Sequence, residues 1–139
     1  MAVVTGVAWV VTVAAVVFVA PRFGGYYRAS AAFAGRVASH VPADAPPVRV
    51  VGLGESHVSY YLTRPWTRVD DREAVARSVT GSGDHYVIAR RRALRGVDPA
   101  RVAELDRADA LRSSETEDDR LVLVRVRPAP GAAPTRIHQ

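Results

Sequence analysis

Nineteen consecutive uncharged residues, Ala2 to Ala20 (AVVTGVAWVVTVAAVVFVA), stand at the head of a chain that is strongly charged after Pro21. At about 1.5 Å per residue a helix of this length reaches roughly 28 Å. A bilayer core is about 30 Å thick and takes around 20 apolar residues, so the run just spans. Its many valines do not prevent a helix, because in lipid each backbone polar group must be satisfied within the segment. Thr5 and Thr12 can bond back to helix carbonyls. Pro21 marks the helix end, and Arg22, Tyr26, Tyr27 and Arg28 follow as a cationic and aromatic belt suited to a headgroup interface. A secretory signal would need a basic segment in front and a shorter apolar run. A buried core helix fits less well, because the run is apolar on every side, which suits a membrane span or the core of a much larger protein. The sequence therefore predicts a transmembrane helix over 1–22 and a single-pass protein of the cell membrane whose first partner is the lipid bilayer. Taken alone, Arg22 and Arg28 on the C-terminal flank point to a cytoplasmic domain.

The 139 residues suit one domain, with 48% hydrophobic and 24% charged residues as in ordinary globular chains. All nineteen basic residues are Arg, a bias that together with abundant Ala and Val reflects GC-rich coding more than chemistry. There is no Cys, which excludes disulfides, thiolate metal sites and cysteine nucleophiles. The net charge of +5 is spread along the chain. Its one tight cluster, Arg90, Arg91, Arg92 and Arg95, is expected to be a solvated strand end and loop, and no nucleic-acid partner is expected.

After the span, Phe33, Val37 and Val41 recur every fourth residue in 29–41, the signature of an amphipathic helix. Pro42, Pro46 and Pro47 end it, so 23–47 reads as a juxtamembrane helix and linker. A small α/β domain is expected over 48–127. Val48 to Leu53 predicts a buried strand stopped by Gly54, Ser56 to Thr63 a short helix, and Trp66 to Val69 a second strand. Asp70, with Glu73 three residues on, forms a capping box for a helix that turns Val75 and Val79 inward and stops at Gly81 to Gly83. His85 to Ala89 is the clearest interior strand. Asp98 and Pro99 are expected to open another helix with Val102 and Leu105 on its apolar edge. A strand over Arg112 to Glu117, a turn at Asp118 and Asp119 and a strand over Leu121 to Val126 complete the order. The last two strands are expected to form an antiparallel edge pair. Residues 128–139, rich in Pro, Ala and Gly, read as a disordered tail. Alternating strands and short helices give an α/β sandwich with a mixed, partly parallel sheet.

Chemical motifs are sparse. Gly52 and Gly54 in GLGES follow a strand, where a glycine turn can hold an anion, but the third glycine of a dinucleotide loop is missing. A tight turn accounts for them more simply. Glu55 and His57 sit two apart beside Tyr60 and Tyr61, and such a pair could do acid-base work or supply two metal ligands, yet no third ligand accompanies them. The tyrosines more often pack a short helix on a sheet. Glu115, Glu117, Asp118 and Asp119 fit a solvated hairpin tip. No metal, cofactor or complete catalytic set is expected.

The segment VRVVGLGESHVSYYLTRPWTRVD, Val48 to Asp70, and within it Ser59-Tyr60-Tyr61-Leu62-Thr63-Arg64-Pro65, resembles the C-terminal region of bacterial polytopic glycosyltransferases of the dolichyl-phosphate-mannose protein mannosyltransferase and aminoarabinose transferase (GT-C type) group. There a last transmembrane helix leads through an amphipathic helix and a proline-marked linker into a small extracytoplasmic α/β domain. The order of elements from Val3 to Pro128 carries the resemblance. The resemblance implies an extracytoplasmic soluble domain, opposite to the reading of the flanking arginines. It also implies the tail of such an enzyme, truncated or standing alone. The family's catalytic acids and its lipid-phosphate sugar site lie in membrane helices and loops that 139 residues do not contain, so no catalytic residue carries over. The expected function is accessory, alongside a polytopic glycosyltransferase subunit. The candidate ligand-binding residues are Gly54, Glu55, His57, Tyr61 and Arg64. A standalone anchored module for a small anion or lipid headgroups, and a small enzyme using Glu55 and His57, are the alternatives.

Overall fold

The computed structural model describes residues 25, 27–52, 58–70, 75–77, 79, 83–109 and 115–128. The expected transmembrane segment, the Asp70–Glu73 capping box and the tail beyond Pro128 lie wholly or partly outside these residues. Among the described residues no helix is long and apolar enough to cross a membrane.

Five strands form one sheet: β1 (Val48–Val51), β2 (Trp66–Val69), β3 (His85–Arg90), β4 (Val102–Arg107) and β5 (Leu121–Val126), in the order β2-β1-β3-β5-β4. β1 pairs parallel with β2 and with β3, while β5 pairs antiparallel with β3 and β4. The expected mixed, partly parallel α/β sheet is therefore present. Polarity explains the order. VRVV, HYVIA and LVLV are rich in β-branched residues and apolar on both faces, which suits interior strands covered on each side. WTRV and VAELDR keep polar side chains at the two edges, where charge and short length discourage further pairing.

Helix α1 (27–40) covers one face of the sheet. Its stripe of Phe33, Ala34 and Val37, continued by Val41, packs with Val48, Val50, Tyr86, Ile88, Leu121 and Leu123. The fourfold periodicity read in the sequence is thus the contact line of a helix on a sheet. A short helix, α2 (Val58–Tyr61), adds Val58 to the same face. The opposite face carries Val51, Val87, Ala89, Val122, Val124 and Val126, covered by Val75 of a third helical segment, α3 (75–77), by Val79 in a turn, and by Val97. Between β1 and β2, Val58 packs on the α1 face, and between β2 and β3, Val75 and Val79 pack on the other. Opposite directions on opposite faces give both crossovers the same hand, as parallel units require.

Several expectations are corrected. The first strand ends at Val51, because Gly52 turns left-handed (φ 54°). The Ser56–Thr63 helix is limited, among the described residues, to Val58–Tyr61. Asp98 and Pro99 open only a 3-10 turn, Pro99–Arg101, with Asp98 accepting from the Ala100 amide at 3.0 Å; β4 follows at once. The three-residue spacing of Val102 and Leu105 was not a helix edge. In a strand, residues three apart face opposite sides, so Leu105 lies on the α1 face and Val102 on the other, and a bulge between Glu104 and Asp106 shifts the facing only of the residues after it. Glu115 and Thr116 are not strand and Glu117–Asp119 is a 3-10 turn. The antiparallel edge pair is therefore β4 with β5, joined by a long connection and not by a hairpin at Asp118 and Asp119.

Candidate functional site

Of the five residues singled out in the sequence, Gly54, Glu55 and His57 lie outside the described residues. Tyr61 closes α2 and is 39% exposed, beside Tyr60 at 82%. Arg64 turns back to the end of α1: its guanidinium donates to the Val41 carbonyl and, at 3.5 Å, to the Ala43 carbonyl. Carbonyls at a helix C-terminus lack intrahelical partners and carry the negative end of the dipole. Arg64 therefore ties the Pro-rich linker to α1.

The densest cluster of charge lies elsewhere. Arg91 pairs with Glu104 and Glu117, Arg92 with Asp119, Arg95 with Asp118, Arg90 with Glu115, and Arg120 with Glu117. Arg107 joins both Glu104 and Glu117. The cluster thus comprises six guanidiniums and five carboxylates among the described residues. The β4 bulge makes it possible, since residues 104 and 107 of a regular strand would point to opposite faces. After the bulge Arg107 faces the same side as Glu104, and Asp106 faces α1, where it accepts from Arg36 Nε at 2.7 Å. Burial pushes the Glu104 carboxyl up, but hydrogen bonds from Arg91 and Arg107 outweigh it and hold Glu104 below its ordinary range. Arg107 is raised, chiefly by its hydrogen bond to Glu104. The basic run and the acidic run, separate in the sequence, are each other's counterions. Their alternation with turn residues gave no signal of that pairing.

A second polar contact sits inside the sheet. Arg49 of β1 and His85 of β3 share the face opposite α1, and an Arg49 guanidinium N–H donates to His85 Nδ1 at 2.8 Å. Accepting there places the ring proton on Nε2, which is buried with no hydrogen-bond partner. His85 is 6% exposed. Burial lowers its pKa most; the positive charges of Arg49 and Arg101 lower it further, and Asp84 offsets part of this. Burial also lowers Arg49. His85 is therefore held neutral and structural. The sequence placed it in an interior strand without identifying its partner.

Among the described residues no group of three His, Cys, Asp or Glu side chains could hold a metal ion. The described acids lie mostly against arginines, an arrangement suited to holding loops in place. Compared with known proteins, the chain matches no family model, no curated protein and no solved structure.

Proposed function

We propose that this chain is a membrane-anchored, extracytoplasmic accessory domain of lipid-linked-sugar glycosyl transfer, not catalytic alone. The observation that carries the reading is that the uncharged run Ala2 to Ala20 shortly precedes, in the sequence, a helix whose apolar stripe packs on the sheet. A span so close in sequence to the helix would keep the domain near the bilayer surface. The resemblance around Ser59 to Pro65 supplies the partner class, a polytopic transferase that uses a lipid-phosphate sugar. On this reading the domain caps the membrane-embedded site or helps present the acceptor. The exposed Tyr60, Tyr61 and Trp66 offer amphipathic contact surface for that role. The lipid-headgroup alternative loses force because the arginines from 90 to 95 already face carboxylates.

The test is photo-crosslinking from position 60 in living cells, followed by identification of the adducts and measurement of glycan transfer in a strain lacking the gene. The reading expects adducts with a multi-span glycosyltransferase and reduced transfer. Adducts confined to lipid or to soluble proteins, with transfer unchanged, would overturn it.

A further inference from the structure

The sheet face opposite α1 is covered unevenly. Val75 and Val79 lie over one part, while beside β5 and β4 the cover is the loop after β3. Between that loop and the sheet lies a solvent-open cavity of about 320 Å³. Val102, Val122 and Val124 of the sheet and Leu94 and Val97 of the loop line it. Among the described residues three charged side chains line it: Arg91, Arg95 and Glu104. The volume falls at the lower end of the range for small-molecule sites, which are typically apolar pockets with few, placed polar groups.

We propose that this cavity binds a small apolar monoanion, an alkyl carboxylate whose chain lies on the lining valines and whose head meets Arg95 and Arg91. Charge balance selects the sign. Among the described residues that line the cavity, two guanidiniums, Arg91 and Arg95, stand against one carboxylate, Glu104. A bound carboxylate offsets that local excess of positive charge, whereas an alkylammonium would add to it. Arg95 is the member free to turn, since its side chain is 67% exposed and its partner Asp118 is 52% exposed. Planar guanidinium matches carboxylate in a two-point fork. Arg91, tied to Glu104 and Glu117, supplies field more than a direct bond. The inference rests on this cavity alone and stands whether or not the chain assists glycosyl transfer.

The test uses the full chain in lipid nanodiscs with labelled valine and leucine methyl groups, titrated with sodium hexanoate, 1-hexanol or hexylammonium. Hexanoate is expected to shift the methyls of Leu94, Val97, Val102, Val122 and Val124 saturably. Hexanol should bind about tenfold more weakly, as expected on losing one charge-assisted contact, and hexylammonium should leave the methyls unmoved. Arg95→Gln should weaken hexanoate about tenfold, and Asp118→Asn, which releases Arg95, should tighten it severalfold. Equal affinity for hexanoate and hexanol, no saturable shift at these methyls, or identical hexanoate affinity in both variants and the parent would each overturn the proposal.

Discussion

Replacing Phe33 by Ala tests how firmly α1 belongs to the sheet. Phe33 is fully buried among Val48, Ile88 and Leu123 and is the largest buried side chain on α1. Returning such a side chain to water forfeits about 1.5–3 kcal/mol. The void it leaves between a helix and a five-stranded sheet collapses only in part, which raises the total to about 3–5 kcal/mol. For a domain of this size each kcal/mol moves the midpoint by about 4–8 °C, so Phe33→Ala should lower Tm by at least about 12 °C. Urea and thermal unfolding of the full chain in nanodiscs, followed by circular dichroism, measure both. Ala32→Ser, on the exposed side of the same helix, should change stability by under about 0.5 kcal/mol. A loss below about 1 kcal/mol for Phe33→Ala, or separate transitions for helix and sheet, would refute the packing argument.

Acid should weaken the fold through His85. Its folded pKa is lowered, so the unfolded chain takes up the proton first, and the stability it contributes is present above the ordinary histidine pKa of about 6.5 and is lost as pH falls toward the lowered folded value. Unfolding midpoints of the parent should drop between pH 7.5 and 5, and His85→Gln should flatten that slope; equal slopes would contradict the assignment. Arg64→Ala should cost about 1 kcal/mol through the lost carbonyl contacts at the end of α1, with faster amide exchange in 37–45 as the local readout. Gly52→Ala should cost about 1–2 kcal/mol: the space around it is open, but φ is 54°, a region that residues with a Cβ disfavour. Urea unfolding measures it, and a neutral result would contradict the turn's geometry.

What the sequence revealed followed hydrophobic pattern. The four-residue beat of Phe33, Val37 and Val41 located α1, and the dense runs at 48–53, 85–89 and 121–126 located the three interior strands, the first two residues too long at its end. Paired inward positions Val75 and Val79 were also legible, since both are buried. The misreading at 98–107 has one cause. Pro at a first helical position and a spacing of three fit a helix start, while strand pairing with β5 and a bulge, both long-range, decided the outcome. Local signals cannot report a bulge, because the extra residue is defined only by the strand opposite. The same limit hid the ion pairs: Arg91 finds Glu104 and Glu117 only after β4 and β5 are brought together, and Arg49 finds His85 only after β1 pairs with β3.

The most direct test of the account concerns anchoring and side. The chain has no cysteine, so Thr67→Cys, on the exposed edge strand, introduces a single thiol. Intact bacterial cells expressing this variant are treated with a membrane-impermeant maleimide and then fractionated with alkaline carbonate. The account predicts labelling before lysis of a chain that stays in the carbonate-washed membrane pellet. Labelling only after lysis, or release of the chain into the soluble fraction, would contradict it.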